Sequence, residues 1–244
     1  MNAVAGSSTS HQFNEDALKR GVTSVRHPLT RALLVLTFTT GLIDGVSYLG
    51  LGRVFTANMT GNVVLLGFGV AGSGGLPVVA PLVSLGAFVL GAAAGGALVK
   101  RLDKRHPTLV ARALAMEVAL VAAAAIIAAV VNVKPGHVTA ILVIALLALA
   151  MGSRSTVVRR LGVPDLSTVV LTMTLSAIAA ESPLAGASGA GSVRRLAAVV
   201  AMFAGAVSGA LLLKTSLAIP LALAAVLALL TWLIYVPAAV RRGR

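Results

Sequence analysis

Residues 41–62 read GLIDGVSYLGLGRVFTANMTGN, and where this stretch is divided decides the fold. It gathers an aspartate, an arginine, two asparagines and several hydroxyls in a chain otherwise built largely from Ala, Leu, Val and Gly. Of the 244 residues, 58% are hydrophobic and 11% charged, and mean hydropathy is +0.98, whereas soluble domains carry about 25% charged residues. Such a composition belongs to an integral membrane protein. In lipid every buried polar group needs a partner inside the protein, so a polar stretch of this kind marks an interior surface.

Eight apolar stretches are readable, at 31–52, 55–71, 78–100, 109–132, 138–153, 165–180, 195–213 and 217–238. A spanning helix needs about 20 residues. The second and sixth stretches are short and polar, carrying Thr56, Asn58, Thr60 and Asn62, and Ser167, Thr168, Thr172, Thr174 and Ser176. If all eight crossed, the 20 Lys and Arg would divide ten against ten between the two sides. If the second and sixth dip in and return, the division is seventeen against three, with Arg53, Lys134 and Lys214 alone on the poorer side. The excess of Lys and Arg on cytoplasmic loops therefore predicts an all-α protein with six transmembrane helices and two short polar re-entrant segments, both termini cytoplasmic. The opening stretch then divides at Arg53, into the end of a span and the start of a segment that does not cross.

Residues 1–30 are polar, with no apolar core of signal-peptide type, and read as a disordered cytoplasmic tail ahead of an uncleaved signal anchor. The expected organisation is 1–30 tail, 31–132 first membrane repeat, 138–238 second membrane repeat and 239–244 basic tail. The repeat rests on order and residue matches: Gly41 with Gly152, Gly50 with Gly162, Thr56 with Thr168, Thr60 with Thr172, Gly91 with Gly205, Gly95 with Gly209 and Lys100 with Lys214, at offsets of 111 to 114. With three crossings per half, the second copy is inverted, a 3+3 arrangement used by secondary transporters. Gly91-Ala-Ala-Ala-Gly95 and Gly205-Ala-Val-Ser-Gly209 have the spacing that lets neighbouring helices approach closely, and read as helix-packing sites.

Few charges fall within the spans. Asp44 lies about 20 Å from the start of the first at 1.5 Å per residue, near mid-membrane, where a carboxylate marks either a functional site or a hydrogen-bonded pin between helices. Glu117 and Arg154 reach similar depths and read as an ion pair or a proton relay. The histidines, His11, His27, His106 and His137, lie in tails or loops without metal-ligand spacing, and there is no cysteine, so no metal site or cofactor is expected. No nucleophile–base, Walker or dinucleotide motif occurs, so the chain reads as a non-enzyme. The net charge of +13 sits at helix ends, where anionic headgroups account for it, rather than marking a nucleic-acid surface.

The runs Asp44-Gly-Val-Ser47-Tyr48, Arg53-Val-Phe55-Thr-Ala-Asn58-Met59-Thr60-Gly61-Asn62, Ala150-Met-Gly152, Arg159-Arg160 and Thr168-Val-Val-Leu-Thr172-Met-Thr174-Leu resemble the YoaK family of bacterial polytopic inner-membrane proteins, a domain of unknown function. The resemblance covers nearly the whole chain after residue 30. It departs at Arg154, where that pattern has Gln, and at Met173, where it has Gly. It implies a multi-pass bacterial inner-membrane protein and brings no substrate with it.

The residues themselves suggest a small-solute transporter or channel. Short helices starting near Asn58 and Thr168 would aim N-terminal amides inward, suiting a polar or anionic solute. The expected lining is Asp44, Ser47, Tyr48, Asn58, Thr60, Gly61 and Asn62, with Thr168, Thr172 and Thr174 opposite. A non-transporting scaffold or assembly protein is the alternative, and a membrane-embedded enzyme based on Ser47 or Tyr48 a weaker one. The expected partners are the lipid bilayer and the solute, with a homo-oligomer left open.

Overall fold

The computed structural model describes residues 28–102, 106–161, 171–181 and 191–242. Among the described residues there are eight helices and no strand: α1 (Pro28–Gly50), α2 (Met59–Val70), α3 (Val79–Leu102), α4 (His106–Val130), α5 (Val138–Leu161), α6 (Leu171–Ala180), α7 (Ser192–Leu213) and α8 (Ala218–Arg242). Five are long and apolar enough to cross a membrane: α1, α3, α4, α5 and α7. In α8 the described apolar stretch is Ala218–Ile234.

Helix ends follow local chemistry. α1 stops where Gly52 takes φ +111°, a conformation glycine adopts without strain, and the amides of Leu51 and Arg53 close back on the carbonyls of Ser47 and Tyr48 at 3.1 and 3.0 Å. α2 starts at Asn58, whose side-chain oxygen accepts from the Gly61 amide at 3.2 Å. The bounds differ from the apolar stretches at several ends, with α2 starting at Met59 rather than 55, α4 at His106 rather than 109 and α7 at Ser192 rather than 195. α1 begins at Pro28, as suits a proline in a first turn. α8 runs on to Arg242. α5 continues to Leu161, eight residues beyond the predicted end, because the polar run Ser153-Arg154 is buried in the protein and interrupts the hydropathy without interrupting the helix. The 1–27 tail lies outside the described residues.

α1 and α5 are the inner helices, with 61% of each apolar window buried against 17% in α3 and α7. Each inner helix pairs with an outer one over its length, α1 with α7 and α5 with α3. These pairs touch backbone to backbone. A Cβ built on Gly41 would collide with the Met202 carbonyl oxygen, and one on Gly205 with that of Phe38; likewise Gly91 faces the Leu149 carbonyl and Gly152 that of Phe88. One turn on, a Cβ on Gly209 would lie 2.6 Å from the Leu42 oxygen and one on Gly95 2.9 Å from that of Ser153. α4 and α8 pack on each other, α4 also on α5 and α8 on α1. Trp232 of α8 donates its indole N–H to the Ala111 carbonyl of α4 at 2.9 Å. Leu42, Ile43, Val121, Ile144, Leu147 and Leu221 form the central apolar core.

Candidate functional site

The polar stretch that opened the sequence folds into one hydrogen-bonded knot. Asp44 lies six residues before the end of α1, about 9 Å back along its axis, and is buried. Its Oδ1 accepts from the amides of Thr56 and Ala57 at 2.9 and 2.8 Å, and from the Thr56 hydroxyl at 3.4 Å; its Oδ2 accepts from the Asn58 amide at 3.1 Å. Three successive amides on one carboxylate form an anion cradle of the kind helix N-termini make. Here the chain supplies the anion itself.

Asn62 closes the other side. Its amide group mimics a peptide, accepting from the Phe55 N–H at 2.9 Å and donating to the Phe55 carbonyl at 2.7 Å and to the Ser84 hydroxyl at 3.1 Å. Ser84 of α3 in turn donates to that carbonyl at 2.6 Å. Gly61 is required where it stands, because a Cβ there would lie 2.9 Å from the Phe55 ring, and that ring stacks on Tyr48 with centroids 4.9 Å apart. Ser47 turns its hydroxyl to the Asp44 carbonyl at 3.2 Å. Thr60 and Asn58 are exposed.

Residues 51–58 therefore run back beside α1 to the level of Asp44, and α2, twelve residues long or about 18 Å, leads away again. Past its end the Gly74 carbonyl lies 3.5 Å from the Arg53 guanidinium. The segment starts and finishes together.

In the second half, Thr168 lies outside the described residues, Thr174 is buried and Thr172 is exposed. α6 is tied to α7 by an ion pair between Glu181 and Arg195 at 2.7 Å. No hydrogen bond joins Thr172 or Thr174 to the Asp44 knot among the described residues.

Glu117 and Arg154 form a second buried constellation. Arg154 donates through Nε to Glu117 Oε2 at 2.8 Å and through Nη2 to Glu117 Oε1. The remaining donors reach α1: Nη1 bonds the Leu36 carbonyl and the Thr40 hydroxyl, each at 2.7 Å, and Nη2 bonds the Thr39 hydroxyl at 3.2 Å. All five guanidinium N–H groups thus have partners, on α1 and α4. These bonds tie α5 to α1 and α4.

Sequence reasoning missed Ser84, Phe55, Thr39 and Thr40. The carbonyls of Phe55 and Leu36 carry no signal in a residue pattern, and a threonine in a span more often bonds its own helix, as Thr37 does to Leu33 at 2.9 Å.

A family model described as "Protein of unknown function (DUF1275)" matches residues 32–234. The chain belongs to this family. Along 147 residues it is 35% identical to the UPF0700 transmembrane protein YoaK of Bacillus subtilis (strain 168), covering 60% of this chain and 64% of that relative. No solved structure matches. The transmembrane relative and the five apolar helices make this DUF1275 member an all-α, multi-pass membrane protein.

Proposed function

We propose that the protein is a transporter or channel for a small polar or anionic solute in the bacterial inner membrane, built as an inverted 3+3 repeat of six spans. The spans are α1, α3, α4, α5, α7 and α8, the last about 37 Å long at 1.5 Å per residue. In this reading α2 and α6 are re-entrant and both termini are cytoplasmic. The observation that carries it is a register correspondence between the helix pairs. Shifting α1 by 111 positions onto α5, and α3 by 114 onto α7, turns the contact Gly41–Met202 into Gly152–Phe88, Gly205–Phe38 into Gly91–Leu149, and Gly209–Leu42 into Gly95–Ser153. A fourth pair follows the rule through different chemistry. Gly45 meets the Ala206 carbonyl, with a built Cβ 3.0 Å away, and its counterpart Thr156 donates to the Ala92 carbonyl at 3.1 Å.

Duplicated, oppositely inserted halves with interrupted segments meeting inside the membrane are the plan of secondary transporters. The return of residue 74 to Arg53 supports a re-entrant α2. The solute would meet the exposed polar groups of Asn58 and Thr60 on the first re-entrant segment and Thr172 on the second, while Asp44, Ser47, Tyr48, Gly61, Asn62 and Thr174 shape the walls, with Thr168 assigned to the same surface from sequence. The test is reconstitution into proteoliposomes with a panel of small anions and polar solutes. Flux that is lost in Asn62→Ala and Asp44→Asn supports transport, and absence of flux for every solute overturns it.

One observation favours the scaffold reading. Asp44, Asn62 and Ser84 spend their hydrogen bonds on one another and on the backbone, as a purely structural knot would. Co-purification of a stable protein partner together with absent flux would decide for it.

A further inference from the structure

The backbone-to-backbone glycine contacts make α1 with α7 one rigid arm and α3 with α5 another. The two arms meet directly only sparsely, and they are joined by polar contacts at two levels. Toward the N-terminal end of α1, Arg154 of the α3–α5 arm holds the Leu36 carbonyl and the hydroxyls of Thr39 and Thr40. Toward its C-terminal end the connection runs through residues 55–58, with Asn62 of α2 also bonding the Phe55 carbonyl and Ser84. The Phe55 carbonyl is held by Ser84 of α3, and the amide of Thr56, the next residue, is held by Asp44 of α1. Each joint consists of a few directional bonds rather than apolar packing, while Leu42 and Ile43 of α1 share the central apolar core with Ile144 and Leu147 of α5.

The geometry points to two gates: an inner clasp at Arg154–Thr39–Thr40 and an outer clasp at Asp44–Thr56–Phe55–Ser84, whose alternate release lets the two arms rock apart on one side of the membrane at a time. This assignment of inner and outer rests on the topology and transport proposed above. In the structure both clasps are made. Rigid units swinging about a fixed site are the expected motion of a duplicated, inverted fold. The α4–α8 pair, bonded to one inner helix each, is the frame against which the arms move.

The chain has no cysteine, so spin-label pairs can be placed at will on exposed positions of the outer helices. Lys100→Cys with Leu196→Cys reports the arms at the inner side, and Leu82→Cys with Leu211→Cys at the outer side. Distances are measured in nanodiscs by pulsed electron paramagnetic resonance. Thr39→Val with Thr40→Val removes the inner hydroxyls and leaves the Arg154–Glu117 pair in place. The inner pair shifts to longer, broader distances and the outer pair does not. Asp44→Asn does the reverse, and Ser84→Ala gives the same outer shift if Asp44→Asn does not yield monodisperse protein. Unchanged distributions in monodisperse variants, or equal changes in both pairs, overturn the two clasps. Selective opening in a protein that moves no solute upholds the clasps and counts against transport.

Discussion

The Asp44 carboxylate accepts the Ala57 amide at 2.8 Å, so the one acidic side chain in the first apolar helix is used to hold a non-helical stretch of backbone beside it. Two neighbouring amides share it. A bare loop at that level would carry unsatisfied N–H groups, each of which costs about 1–3 kcal/mol when buried. Asp44→Ala exposes three at once. We expect a loss of about 3 kcal/mol or more, read as a large fall in the midpoint of detergent-solubilised thermal unfolding, with Asp44→Asn intermediate because it keeps one acceptor oxygen.

Glycine substitutions should separate into two groups. Gly41→Ala, Gly91→Ala, Gly152→Ala and Gly205→Ala each drive a methyl into a carbonyl oxygen of the partner helix, and overpacking of this kind costs about 1–3 kcal/mol. Gly86 and Gly96 have nothing within 4 Å of a built Cβ, so Gly86→Ala and Gly96→Ala should leave the unfolding midpoint unchanged or slightly raised. Equal effects in both groups would contradict the close helix approach.

Breaking the buried ion pair from one side should be worse than removing both charges. Glu117→Gln or Arg154→Met alone strands a buried charge, for a cost of about 3–5 kcal/mol. The double variant removes the stranded charge, and its stability should exceed the sum of the two single effects by a coupling energy of about 0.5–3 kcal/mol. Chemical or thermal unfolding of the four proteins closes the cycle.

Topology can be read directly on this cysteine-free chain. Arg53→Cys and Ser73→Cys, both at exposed positions flanking α2, should react with a membrane-impermeant maleimide from the same, outer face of intact cells, and Lys100→Cys only after the membrane is opened. Labelling of positions 53 and 73 from opposite faces would make α2 a full crossing.

Class and segment order were legible because lipid imposes a coarse rule: long apolar runs cross, and basic residues collect on one side. Depth counted from helix ends was enough to put Glu117 and Arg154 at a common level. The polar motif was legible as an interior surface but not as a self-satisfied one. That Asn62 would imitate a peptide for Phe55, or that Asp44 would reach residues 12 to 14 positions ahead, depends on the chain doubling back after Gly52, and residue types record only that it can. The length of α5 was misread for a related reason. Hydropathy falls at Arg154 whether a helix ends there or turns its charge inward onto Glu117, and only the position of α4 distinguishes the two.

Trp232 is the sole tryptophan in the chain, and its indole N–H is committed to α4 through Ala111. Tryptophan emission, excited selectively over the two tyrosines, therefore reports on the contact between the two helices of the frame. A steady spectrum while the arms are driven apart would mark that frame as the still point of the molecule, seen without any added label.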